Sequence, residues 1–149
     1  GAPPWAPNTE AFLMFTQKAI EGLDEELARF MAISELYIAD LPGPEAVVDG
    51  VDPRALTLID AAVVGPENGE AKLAVVPEQV SLRVFLYALN VMRVAVGLPG
   101  VQPAIKEALE RELRATLTDL AAELAEAQEL DLLAEEIAAE AHGELPPRG

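Results

Sequence analysis

The chain predicts an all-α fold, an elongated bundle of four to five helices in one domain spanning residues 1–149. Three observations carry that expectation. Apolar residues Phe12, Leu13, Ile20, Leu23, Leu27, Phe30, Met31, Ile38 and Leu41 keep to about a third of a turn at helical pitch. A second such pattern runs from Pro103 to His142 through Ile105, Leu109, Leu113, Leu117, Leu120, Leu124, Leu130, Leu133 and Ile137. Much of the remaining apolar content is alanine, the strongest helix former, while aromatics reach only 5% and supply a few isolated anchors.

Residues 1–8 read as an extended arm, because each proline biases its predecessor away from the helix, and Trp5 is its apolar anchor. Asn8 or Thr9 caps the first helix, which Pro42-Gly43-Pro44 stops after Leu41. Residues 45–51 read as a loop or at most a short strand. Asp52-Pro53 then suits a helix start, with Arg54–Val64 following and Gly65-Pro66 ending it. A rival reading is a small β-hairpin near residues 59–76, in which Ile59–Val64 and Ala71–Val76 flank the turn signal Pro66-Glu67-Asn68-Gly69.

Val76-Pro77-Glu78 opens a helix that runs to Val96 and closes at Gly97; being apolar on nearly every side, it is expected at the centre of the bundle. Its arginines argue against a membrane span, and no signal peptide is evident, so a cytoplasmic location is expected. The last helical region begins at Pro103, and residues 144–149 form a Pro-rich tail. Leu130, Leu133 and Ile137 point about 110° away from the stripe that ends at Leu124, with Leu132 on neither. A straight helix of that length, about 60 Å, outruns a compact globule of about 38 Å. The expectation is a break near Gln128–Asp131 with Asp131 capping a separate final helix. The alternative is a projecting end that packs on another chain.

Chemistry-bearing residues are scarce. There is no cysteine, and Ser34 and Ser81 stand at no nucleophile elbow. The lone His142 sits at a helix end, where an imidazolium complements the dipole, and it cannot furnish a di-iron site by itself. Asp49 and Asp52 fail calcium-loop spacing and are expected to form turns and caps. No phosphate loop or dinucleotide fingerprint occurs. The sequence therefore names no catalytic residue, no metal site and no cofactor, and the protein is not expected to be an enzyme.

Two features stand out. Arg83, Tyr87, Asn90 and Arg93 form a polar strip if the central segment is helical. Arginine forks suit carboxylates and phosphates, although in an acidic protein an internal glutamate competes for them. The C-terminal third carries Asp119, Glu123, Glu126, Glu129, Asp131, Glu135, Glu136, Glu140 and Glu144, with no Lys or Arg between Ala115 and Pro147. Unbalanced acids on a helix repel one another and invite a basic partner.

A net charge of −16 speaks against nucleic-acid binding and against membrane insertion by charge attraction. The expected function is a non-enzymatic interaction protein, an assembly subunit, adaptor or chaperone-like binder, working through apolar and acidic helix faces. Leu130, Leu133 and Ile137 would make its oligomer or partner contact, and Glu123, Glu126, Glu129, Glu136 and Glu140 its acidic face. One alternative is a small-molecule or anion-binding sensor using the Arg83–Arg93 strip. The other is an acidic inhibitor or immunity-type protein that covers a basic partner.

Overall fold

A computed structural model describes residues 9–64 and 75–143. In chain order these are α1 (Thr9–Glu21), α2 (Glu25–Ala32), β1 (Glu35–Ala39), α3 (Pro44–Val48), β2 (Thr57–Val63), β3 (Val80–Tyr87), α4 (Ala88–Val94) and α5 (Val101–Gly143). The fold is therefore α+β, not a pure helical bundle. The three strands form one sheet in the order β1-β3-β2, with β1 parallel and β2 antiparallel to the central β3.

The first expected helix is three elements. Gly22-Leu23-Asp24 interrupts it, and the Asp24 carboxylate restarts it by accepting the Leu27 N–H at 2.9 Å. The chain then leaves α2 at Ser34, whose hydroxyl donates to the Phe30 carbonyl, and the β-prone run Glu-Leu-Tyr-Ile-Ala extends as β1. Leu36 and Ile38 turn toward the core, while Glu35, Tyr37 and Ala39 turn away. That Ile38 also continues the helical spacing of α1 and α2 is a coincidence of period, since residues two apart on a strand return to one face.

The expected helix from Val76 to Val96 is corrected in the same way. Val80, Leu82, Val84 and Leu86 alternate with Ser81, Arg83, Phe85 and Tyr87, and the first set is buried in the core. Apart from a single 3-10 turn at Pro77–Gln79, only Ala88–Val94 is helical, and Gly97 follows with a φ of +69° that suits glycine. The outward face of the strand is partly apolar too, because Phe85 stacks on Tyr37 with centroids 5.1 Å apart. That is why the run looked greasy on every side.

Neither reading of residues 54–76 holds in full. Asp52 builds a turn, accepting the Arg54 N–H on its carboxylate at 2.8 Å, and the chain then enters β2 and no helix. β2 does pair antiparallel with a following strand, but its partner is Val80–Tyr87, with Thr57 opposite Leu86 and Val63 opposite Val80. The turn expected at residues 66–69, most of the strand expected at 71–76, the arm at 1–8 with Trp5, the His142 side chain and the tail at 144–149 lie outside the described residues.

Helices cover one face of the sheet. Phe12 and Ala19 of α1, Leu27 and Phe30 of α2, and Val101, Ile105, Leu109 and Leu113 of α5 close one cluster over Leu82, Val84 and Leu86. Each Val, Leu, Ile or Phe among them contributes roughly 1.5–3 kcal/mol of transfer free energy. The other face carries Tyr37, Phe85, Arg83 and Asp60, with Arg83 placed opposite Glu35 on one neighbour and Asp60 on the other.

The expected break near Gln128–Asp131 is absent: α5 is continuous for 43 residues, about 63 Å. Alanine-rich sequence without glycine or proline from Ala104 to Ala141 gives the backbone no reason to stop. The stripe rotates because the core contact ends near Leu120, not because the helix does.

The Asp24 cap supplies a pH-dependent prediction. The Leu27 N–H, and secondarily Arg114 at 2.7 Å, hold its carboxyl below the ordinary aspartate value. A depressed folded-state pKa stabilises above the unfolded value and is lost as pH falls through the folded one. Asp24→Ala is expected to lower Tm at pH 7, and the gap from the wild type to be smaller at a pH well below the ordinary aspartate value of 3.8. Parallel melts at the two pH values check this.

Candidate functional site

Beyond Leu120, α5 leaves the core. Every residue from Ala121 to Ala141 is exposed except Leu124 and Gln128, which are half-buried. This arm is about 30 Å long. Along it Leu130, Leu133, Ala134, Ile137 and Ala141 recur at spacings of three, one, three and four and make one ridge. Its large members stay uncovered: Leu130 is 64%, Leu133 52% and Ile137 64% exposed.

The acids frame that ridge. At helical pitch Glu129, Glu136 and Glu140 fall along one flank and Asp131 and Glu135 along the other, while Glu123 and Glu126 stand at its N-terminal end. Arg114 is the last basic residue before the arm, and it is engaged with Asp24. Leu132 lies on the far side of the helix from the ridge. The residues expected to form the acidic face and the oligomer contact thus share one continuous exposed helix.

The expected strip of Arg83, Tyr87, Asn90 and Arg93 is not a strip. Strand and helix periods differ, so the spacings that aligned them on a helix scatter them here. Arg83 lies on the open sheet face, 3.8 Å from Glu35. Tyr87 ends β3 with its ring buried, and burial raises its hydroxyl pKa. Asn90 and Arg93 remain together on α4, and they are joined by Arg54, which the sequence reading had assigned to a helix and given no role. Asn90 is 2% exposed and donates its amide to the carbonyls of Pro53 at 2.8 Å and Ala55 at 2.9 Å. Its oxygen accepts from Arg93 at 3.3 Å.

A recess of about 470 Å³ lies where α2 meets α5, lined by Leu27, Phe30 and Leu117 with Glu26 and Arg114. Among the described residues no three acidic or histidine side chains gather as a metal site would require. Ser34 spends its hydroxyl on the Phe30 carbonyl. No described helix is long and apolar enough to cross a membrane.

No protein-family model matches the chain, and comparison with curated proteins finds no match.

Proposed function

We propose that this is a non-enzymatic interaction protein whose projecting α5 arm docks a basic amphipathic helix. The observation that carries this reading is the ridge of Leu130, Leu133 and Ile137, uncovered over the last turns of a continuous helix and flanked on both sides by carboxylates. Three large aliphatic side chains left in water on a helix that projects from the core form a docking stripe in search of its partner. The flanks select the occupant. A second copy of the arm would set carboxylates against carboxylates, whereas a helix with lysines beside its apolar face neutralises them. The reading joins the interaction-protein expectation to the basic partner of the inhibitor alternative.

The test uses a fluorescent designed helical peptide with leucines on one face and lysines flanking them, titrated against the full chain by anisotropy. Leu133→Glu combined with Ile137→Glu is expected to weaken binding more than tenfold. Leu132→Glu adds the same kind of charge on the opposite face and is expected to leave affinity unchanged. Raising salt from about 0.05 to 0.5 M should weaken the wild-type complex by about tenfold or more. Equal losses in Leu132→Glu and in the ridge variant would overturn the assignment, since binding would then follow net charge and not the ridge.

A further inference from the structure

Away from the arm, the structure brings two arginines from distant parts of the chain to one recess. Arg54 stands on the turn before β2 and Arg93 in the last turn of α4, and with Asn90 and Val94 they line a cavity of about 430 Å³. Among the described residues neither guanidinium has a carboxylate at ion-pair distance. The nearest acid in sequence, Asp52, uses its carboxylate on the Arg54 backbone N–H. In a chain with 26 acids and 10 basic residues, these two cations share a recess with no carboxylate bridging them among the described residues. Both cations meet solvent in that recess, so a small anion entering it can be reached by both without an internal carboxylate competing.

The placement of both arginines runs through one buried side chain. The Asn90 amide donates to the carbonyls on either side of Arg54, those of Pro53 and Ala55, and so pins the turn that carries Arg54. The same side chain's oxygen accepts from the Arg93 guanidinium and orients it. A half-satisfied buried amide is costly, and here both of its ends are used to hold the two cations. Binding groups held in advance lose less freedom when a ligand arrives.

We propose that Arg54 and Arg93 bind a phosphate dianion, free or as the monoester of a small molecule, with Asn90 as the positioning residue. Two guanidiniums arriving from different elements suit a tetrahedral group that accepts forks on separate edges. A carboxylate offers one edge and one charge. The recess exceeds a bare phosphate and leaves room for a small organic substituent. Long polyanions are excluded by the field of the −16 chain, which a single small dianion at a local cationic site withstands far better. This site is independent of the α5 arm, so either can fail alone.

The experiment is a titration of the 15N-labelled full chain with inorganic phosphate, glycerol phosphate and succinate, at ionic strength held constant with chloride. Saturating shifts are expected at the amides of residues 54–56 and 90–94 with the phosphates, and not with succinate. Arg54→Gln and Arg93→Gln are each expected to raise Kd about tenfold, and the double variant to abolish saturation. Both side chains are exposed, so these variants should keep the wild-type urea midpoint. Tighter binding of glycerol phosphate than of inorganic phosphate assigns the recess to a monoester, and equal binding assigns it to free phosphate; either supports the site. Shifts that rise linearly to about 50 mM, an unchanged Kd in the double variant, or preferential saturation by succinate would overturn it.

Discussion

Val84→Asp is expected to leave the protein unfolded at neutral pH, while Arg83→Asp, one residue earlier, leaves it folded. Val84 is fully buried at the middle of the central strand, between Leu36 on β1 and Ile59 on β2. A carboxylate there has no basic partner, and a buried unpaired charge costs at least about 3–5 kcal/mol against a total stability of about 5–15 kcal/mol. Arg83 points to the open face, where a carboxylate stays hydrated and costs little, although it faces Glu35 and Asp60. Leu82→Asp should behave like Val84→Asp, and Ser81→Asp like the wild type. Circular dichroism and urea melts of the four variants read the period directly. A two-residue alternation is the signature of β3; intolerance repeating every three to four residues would restore the helix.

The second large effect divides α5. Leu113→Ala is expected to destabilise by about 2–5 kcal/mol, because Leu113 is fully buried in the cluster and its loss leaves a cavity. With a urea dependence of about 2 kcal/mol per molar, that is a midpoint shift of roughly 1–2.5 M. Leu133→Ala, the same change five turns and a half further on, is expected to shift the midpoint hardly at all, since Leu133 already meets water and alanine is the better helix former. Amide exchange should follow the same division. Protection near global stability is expected around Leu109 and Leu113, with much faster exchange beyond Leu124, where the helix has only its own hydrogen bonds. If the two leucines proved equally costly, the distal half of α5 would be packed against something in solution.

How much of this could be read from sequence depends on the element. α5 was legible from Ile105 to Leu120 because its leucines contact one body throughout, and the rotation of Leu130, Leu133 and Ile137 away from that stripe was visible too. Its cause was not: at fixed pitch, a displaced stripe arises from a break or from a helix that changes neighbours, and only the fold distinguishes the two. The strands were lost for different reasons. β1 is five residues long and directly follows a helix whose apolar spacing it happens to extend. β3 hides its alternation because aromatic Phe85 and Tyr87 take the alternate positions, one stacking on Tyr37 and the other buried at the end of the strand.

The candidate sites divide the same way. Glu129, Leu133 and Ile137 are neighbours in sequence on one helix, so helical periodicity alone assembles the arm's surface. Arg54 and Arg93 are brought together by the Asn90 clamp across 35 and 37 residues, and no local pattern announces such a contact. Asp52-Pro53 reads as a helix start, and it is instead the turn that carries Arg54 into β2. Grouping Arg83 with Arg93 failed because a strand intervenes, and the internal ion pair with Glu35 took Arg83 out of the site.

The central claim is that the α5 arm is kept open for a basic partner and not closed by a second copy. Its most direct test is the absolute mass of the full chain by light scattering after size exclusion, alone and with an equimolar Leu/Lys peptide, at about 0.05 M salt. The account predicts a 15.8 kDa monomer that gains one peptide, and a Leu133→Glu, Ile137→Glu variant that stays a monomer and gains none. A stable dimer of the chain alone, dissociated by those two substitutions and indifferent to the peptide, would contradict it.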